Sequence, residues 1–479
     1  MFTPLLASTS VGTLEFRQAL EPVRSKRTKA QYFQGWADSV DFEAKKITVE
    51  ESVEDPNQGL ALVGELHAEQ PNQHTLPGKP HKPKKGKLFD LAYDKLVIAV
   101  GCYSQTFGTP GVKDHALFLK DVGDARKIRN RLLVCFEAAA LPTTSDDMRK
   151  CLLNFAIVGG GPTGIEFSAE LHDFIVQDLS RIYPELMKFV NVTVYDVAPK
   201  VLSMFDEKLG AYAIQVLSRE GVKIRTSHHV EELRQGLPSS LSNGESINDQ
   251  ATVWTLKTKE DGEIGVGMVV WSTGLQMNPF VEVALGRTDF QLPSINVAVT
   301  RSKSNQSNPL SWIVKKDAKS GAVVTNEKLQ VILEPVNNRD GGSRAVLRDV
   351  YALGDCAVLE GTIFPATAQV AAQKAEWLGK RFNKGDVESE QFKWKNMGIM
   401  AYLGNYRAIM QGGGGGNISG RLAWLVWRGA YLTMTVSLRN KIQIPTMWTL
   451  NWFFGRDTSR KFSPRLCTTY ILTDRLAGF

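Results

Sequence analysis

A strand running straight into three spaced glycines and then a helix leaves few folds open, and residues 154–170 (NFAIVGGGPTGIEFSAE) have that form. The apolar run FAIV feeds Gly159-x-Gly161-x-x-Gly164, and a helix-compatible stretch follows. A pyrophosphate needs close backbone approach, which side chains block, and free N–H groups at a helix start. Glycine spacing alone is a weak signal, but here the strand before it and the helix after it are both present. The competing reading is a glycine turn without a ligand. The next strand, residues 192–197 (VTVYDV), carries Asp196, placed to hold a ribose 2′-hydroxyl. Its distance of 37 residues from Gly159 exceeds the usual spacing of about 20. An acid there repels a 2′-phosphate, so NADH is expected over NADPH; the alternative is that Asp196 only caps the following turn.

Other segments carry the same alternation of strand and helix, which predicts doubly wound, parallel α/β sheets. At 479 residues the chain exceeds one ordinary core, so two or three domains are expected. No stretch of 18 apolar residues runs free of charge, so no transmembrane helix is expected. Residues 1–10 lack the basic and apolar pattern of a signal peptide. The five cysteines form no C-x-x-C pair and the seven histidines are scattered, so neither a metal site nor a dithiol centre is expected. The net charge of +7 is concentrated at the end: residues 421–461 hold seven Lys or Arg against one acid, Asp457. The Pro- and Lys-rich stretch 67–89 reads as a surface loop, and 286–346 as a region holding a polar insertion.

Gly101 and Gly274 each end an apolar strand in a small residue then glycine, which lets backbone approach a ligand. Residues 351–357 (YALGDCA) end a strand in Gly354-Asp355, where a carboxylate can accept hydrogen bonds from a polyol such as a flavin's ribityl chain. Alone, that is a common strand-end turn.

Together these pieces resemble the two-dinucleotide flavoprotein reductases, and within them the type II (alternative, non-proton-pumping) NADH:quinone oxidoreductases of fungal mitochondria. The resemblance rests on residues 2–6 (FTPLL) with 11–13 (VGT), 158–166 (VGGGPTGIE), 271–274, 351–355, 364–373 (FPATAQVAAQ), 401–404 (AYLG) and 427–434. It covers nearly the whole chain, with its motifs in order. It implies two Rossmann-like domains, the FAD domain interrupted by the NADH domain, plus a C-terminal amphipathic helical membrane-anchoring region. The implied division is 1–150 and 281–390 for FAD, 151–280 for NADH and 391–479 for membrane association. Thr3, Pro4, Pro162, Thr163, Glu166, Ala368 and Gln369 join the glycines, Asp196 and Asp355 as implied cofactor-binding residues. In that family a strand and GxGxxG turn for FAD precede the FTPLL segment, with a mitochondrial presequence before them. Residues 1–479 are therefore expected to be the larger part of a longer protein, holding little flavin when made alone.

Gln369 and Gln373 stand i and i+4 on one helical face. A carboxamide donates to a quinone carbonyl without adding a charge that opposes flavin reduction. The resemblance places Gln369 between flavin and ubiquinone, Gln373 along the quinone channel, and Tyr431 near the pocket; the bland alternative is two solvated glutamines and an interfacial aromatic. Ala372 stands where some relatives carry histidine. Residues 421–461 concentrate Trp424, Trp427, Trp448 and Trp452 among basic residues, the composition of helices lying in a membrane interface, with Pro445 expected to separate two of them. Packing of one face on the protein or on a dimer partner is the rival, and both can hold on different faces. The expected activity is NADH:ubiquinone reduction, peripheral to the mitochondrial inner membrane, with no nucleic-acid partner and a homodimer left open. The alternatives are an NADH-binding membrane-associated protein with impaired catalysis, or a flavoprotein with another acceptor such as a sulfide:quinone reductase.

Overall fold

In the computed structural model the described residues are 2–24, 30–54, 85–241, 252–286, 297–300, 311–336 and 344–458. Five parallel strands form the first sheet, in the order Leu117–Phe118, Met268–Trp271, Asn154–Val158, Asn191–Asp196, Val222–Thr226. Phe155, Ala156, Ile157 and Val158 are all buried, as a strand covered on both faces requires. Pro162–Phe174 (α1) follows this strand and covers one face of the sheet. Leu117–Phe118 and the helix Val122–Ala140, which buries Ile128, Leu132 and Phe136, precede residue 151 and still belong to this layer.

The second sheet has seven strands and is assembled from distant parts of the chain. Leu96–Ile98 lies parallel to Arg344–Ala352, pairing Leu96 with Val350, so the first sheet is an insertion between them. The described part of 286–346 contributes sheet strands around the stretch read as a polar insertion. Trp312–Val314, Val323–Thr325 and Gln330–Pro335 are strands of this sheet, and Trp312, Val314, Val323 and Leu333 lie in its core. Their short apolar runs are interleaved with polar turns, which hid them in a composition reading. The stretch RSKSNQSN falls outside the described residues, as does 67–89 up to residue 84; Leu88–Ala92 is a strand. Ala368–Lys384 (α2) packs at the end of this unit, capped by Thr367 and closed by Gly385.

A three-stranded antiparallel sheet, Ile399–Gly404, Arg407–Gln411 and Asn417–Gly420, leads into the tail. Asn405 and Tyr406 turn its first hairpin with positive φ of 47° and 58°, and the glycine run forms the second turn. Two helices follow, Arg421–Met434 (α3) and Leu438–Phe454 (α4). Pro445 does not separate them; it lies inside α4. The break falls at 435–437, where the Ser437 hydroxyl caps Asn440 N and the Glu21 carboxylate accepts from Val436 N at 2.9 Å and Ser437 N at 3.2 Å. A capping hydroxyl and a distant carboxylate fix the boundary that proline alone does not.

Candidate active site

The three glycines of the first turn are required for three different reasons. Gly159 has φ +117°, which an L side chain rarely adopts. A Cβ on Gly164 would overlap the Gly159 carbonyl oxygen, so glycine lets α1 sit tight on the turn. A Cβ on Gly161 would meet nothing within 4 Å, so its face is open backbone. α1 begins on Pro162 with no side chain capping its first turn, leaving those N–H groups for an anion. The cradle fits a pyrophosphate. Asp196 ends its strand as expected and stitches the turn: Oδ2 accepts from Gly160 N and Oδ1 from Ala198 N at 2.7 Å. The carboxylate therefore fixes the loop.

Gly274 is glycine for a different reason: a Cβ there would stand 2.7 Å from Gln105 Cβ and 2.8 Å from Phe107 Cζ. The 105–107 segment lies on it, held by Trp271 Nε1 donating to Gln105 O at 2.9 Å. Gly101 (φ +68°) and Gly354 (φ +79°) both face open space, just past the C-terminal ends of the adjacent parallel strands Leu96–Ile98 and Arg344–Ala352. That strand edge is where open α/β sheets take ligands. Asp355 lies half-buried beside it and accepts from the Cys102 thiol at 3.4 Å. Burial, with Asp355 alongside and Lys120 opposing, pushes that thiol up to about 11, so it stays protonated. Ala368 opens α2 next to this edge, where the Thr367 hydroxyl accepts from Val370 N at 3.4 Å. Open glycines, a strand-end carboxylate and a helix start fit the polyol and ring end of a flavin dinucleotide. Thr3 and Pro4 open a short 3-10 helix at the start of the chain, with Thr3 exposed.

The two glutamines do something that their spacing did not reveal. Gln369 donates to Gly398 O at 3.1 Å and accepts from Met397 N at 3.1 Å. Gln373 donates to Lys395 O at 2.9 Å and accepts from Lys395 N at 3.0 Å. Each carboxamide pairs like one rung of a β-ladder, and together they hold the segment leading into the tail sheet. Ala372 between them is exposed.

Glu166, two residues past the last glycine of the turn, faces the tail. Its Oε1 accepts from Trp427 Nε1 at 3.0 Å, Tyr402 N at 3.2 Å and the Tyr431 hydroxyl at 3.4 Å. Burial pushes its carboxyl up to about 7 against the pull of those donors. Glu170 accepts from the Ser8 and Thr13 hydroxyls at 2.6 and 2.8 Å. Asp173 accepts from the Tyr402 hydroxyl at 2.6 Å and is pushed up to about 6, mainly by burial. These three acids stand at i, i+4 and i+7, one face of α1. Tyr431 also packs edge-on against Phe2 and tilted against Trp427.

The profile of the pyridine nucleotide-disulphide oxidoreductases matches residues 3–291, and that of the NDH2 C-terminal domain matches 396–457. A probable NADH dehydrogenase of Dictyostelium discoideum is 34% identical over 96% of this chain and 83% of its own. External NADH-ubiquinone oxidoreductase 2, mitochondrial, of Saccharomyces cerevisiae is 32% identical over 96% and 76%. The chain belongs to the type II NADH dehydrogenase (NDH2) family. The fold of NDH2 from Plasmodium falciparum, solved in complex with NADH, superposes with a TM-score of 0.70 over 96% of this chain and 92% of that one, at 20% identity.

In this NDH2 family member the C-terminal profile coincides with the 399–420 sheet, α3 and α4, and the sheet and α3 receive Glu166 and Asp173 of α1. Sequence reasoning missed Trp427, Tyr402, Glu170 and Asp173 as parts of one network. The signal was there in the spacing of Glu166, Glu170 and Asp173, a charged stripe on an otherwise apolar helix that needs polar partners.

Proposed function

We infer that this chain oxidises NADH and reduces ubiquinone through bound FAD, peripheral to the mitochondrial inner membrane. The observation that carries the reading is the double use of α1. Its N-terminus opens a pyrophosphate cradle, and its acidic face is bolted to the NDH2-type tail. FAD, when bound, supplies two-electron acceptance from a hydride and redelivery to a quinone. The chain's residues orient the partners. Gly159, Gly161, Pro162, Thr163 and Gly164 hold the NADH pyrophosphate, and Asp196 disfavours a 2′-phosphate. Gly101, Gly354, Asp355, Ala368 and Gln369, with Thr3 and Pro4, hold the flavin side, and Gly274 sets the 105–107 segment between the two sites. Gln369 and Gln373 fix residues 395–398 as a wall of the quinone site, with Tyr431 on the tail side. Of the expected division, 281–390 for FAD and 391–479 for the tail go with this reading, while the NADH unit takes Leu117–Phe118 and Val122–Ala140 in addition to 151–280.

No helix among the described residues is long and apolar enough to cross a membrane. The tail instead buries Ala423, Trp427 and Ile444 against the body while exposing Leu422, Leu438, Ile442, Trp452, Phe453 and Phe454, the last by 83%. One face packs inward and the other is an apolar patch amid basic residues, which suits a lipid interface. The triple variant Trp452→Ser, Phe453→Ser, Phe454→Ser should lose cosedimentation with liposomes and most ubiquinone reduction while keeping NADH oxidation by ferricyanide. Undiminished cosedimentation would remove the anchor assignment. Dissociation of a dimer by the same variant would reassign the patch to a second copy.

A further inference from the structure

Away from the nucleotide turn, a cavity of about 890 Å3 lies between the far end of α1, α3 and α4. Gln369, Gln373 and Tyr431 are not among its lining residues, although Trp427, which packs on Tyr431, is. Its floor is acidic, but each acid is engaged. Glu170 is held by Ser8 and Thr13, and Asp173 by Tyr402. Asp178 is paired with Arg456 at 2.8 Å.

Its mouth is different. Arg428 is clamped between the rings of Trp424 and Trp448, 4.4 Å from each centroid. Its Nε is buried without an acceptor, and it makes no ion pair among the described residues. Arg421 and Arg181, exposed on the same lining, also have no carboxylate partner among the described residues. Stacking fixes the guanidinium of Arg428 in place at little further entropic cost, and a fork of N–H donors without an acceptor matches phosphate oxygens. The rim carries Leu425, Trp452 and Phe453, each more than half exposed and continuous with the apolar face of α4.

We propose that this cavity binds the phosphate of an anionic phospholipid, gripped by Arg428, Arg421 and Arg181, with its acyl chains leaving over Leu425, Trp452 and Phe453. The proposal rests on the membrane reading above and sharpens it from a charged surface to a headgroup site. A quinone headgroup has no charge to meet three guanidiniums that form no ion pair among the described residues. Free phosphate has no chains to cover the apolar rim.

Binding is read from the change in tryptophan fluorescence, to which Trp424 and Trp448 at the site contribute, during titration with dihexanoyl-phosphatidylglycerol below its micelle concentration. Dihexanoyl-phosphatidylcholine and inorganic phosphate serve as parallel arms. The anionic lipid should saturate, and Arg428→Gln should weaken it about tenfold, the usual size for losing a charge-assisted contact. Arg421→Gln, exposed at the mouth and harmless to folding, should weaken it severalfold. Lys441→Gln, an exposed charge outside the cavity, should change nothing. Equal weakening by Lys441→Gln, or none by both arginine variants, would overturn the site. Equal affinity for phosphatidylcholine would overturn the charge argument, and equal affinity for inorganic phosphate the lipid argument. Cosedimentation with phosphatidylcholine vesicles reads membrane association separately. Its failure beside an intact lipid titration would remove the membrane reading and leave the headgroup site standing.

Discussion

Trp427 donates its indole N–H to Glu166 Oε1 at 3.0 Å, joining α3 to the helix that opens the nucleotide turn, 261 residues earlier in the chain. The bond is buried and its acceptor is costly. Glu166 is pushed up to about 7 from an ordinary 4.5, so between those values the folded chain holds a proton that the unfolded chain has released. Stability therefore falls as pH rises from about 4.5 to about 7, and levels off above. Glu166→Gln keeps an oxygen for Trp427 and removes the charge. Its advantage over the parent should grow across that window to the order of 2 kcal/mol at pH 7.5. Melting temperatures of both proteins from pH 5 to 8 check this, and parallel profiles would contradict it. Asp173 is unchanged in both and adds the same slope to each, between about 3.8 and about 6.

Gly161→Val places a branched side chain where the structure leaves open backbone. Losing even one charge-assisted contact, about 1.5–3 kcal/mol, should raise the NADH dissociation constant at least roughly tenfold. Flavin content should not change, because the turn belongs to the other sheet. Calorimetric titration with NADH decides it; retained affinity would show that the turn is not the site.

Asp196→Asn removes the charge proposed to disfavour a 2′-phosphate and one of two carboxylate contacts that stitch the turn. The ratio of kcat/KM for NADPH to that for NADH should rise by about tenfold, a change worth roughly 1.4 kcal/mol. A unchanged ratio with a raised KM for both would leave Asp196 as a turn stitch alone.

The first turn was legible because its constraints are local: a buried strand, three glycines and a helix within seventeen residues. The acid at 196 followed from the same logic, although its grip on Gly160 did not. What stayed hidden depends on partners far along the chain. Gln369 and Gln373 sit on one helical face, but nothing local says that this face meets residues 395–398 rather than solvent. Pro445 is a local helix-breaking signal, overruled by a cap at Ser437 and by Glu21, which is more than 400 residues away. The core strands around Trp312 and Leu333 were masked by the polar residues between them.

Gln373→Ala removes two hydrogen bonds to Lys395, at about 1 kcal/mol each. The variant should lose about 1–2 kcal/mol of stability and loosen residues 395–398, proposed as a wall of the quinone site. Its kcat/KM for ubiquinone should fall severalfold while NADH:ferricyanide activity holds. Equal loss with both acceptors would place the glutamine's effect outside the quinone side.

On the proposed function, one bound flavin links NADH at the α1 turn to a quinone at the tail. The most direct measurement is flavin absorbance at 450 nm in the protein under anaerobic conditions, first on adding NADH and then on adding ubiquinone in liposomes. The account predicts bleaching by about one equivalent of NADH and recovery on ubiquinone, since a two-electron donor and acceptor share one flavin. Bleaching without recovery, or no bleaching by NADH, would contradict it.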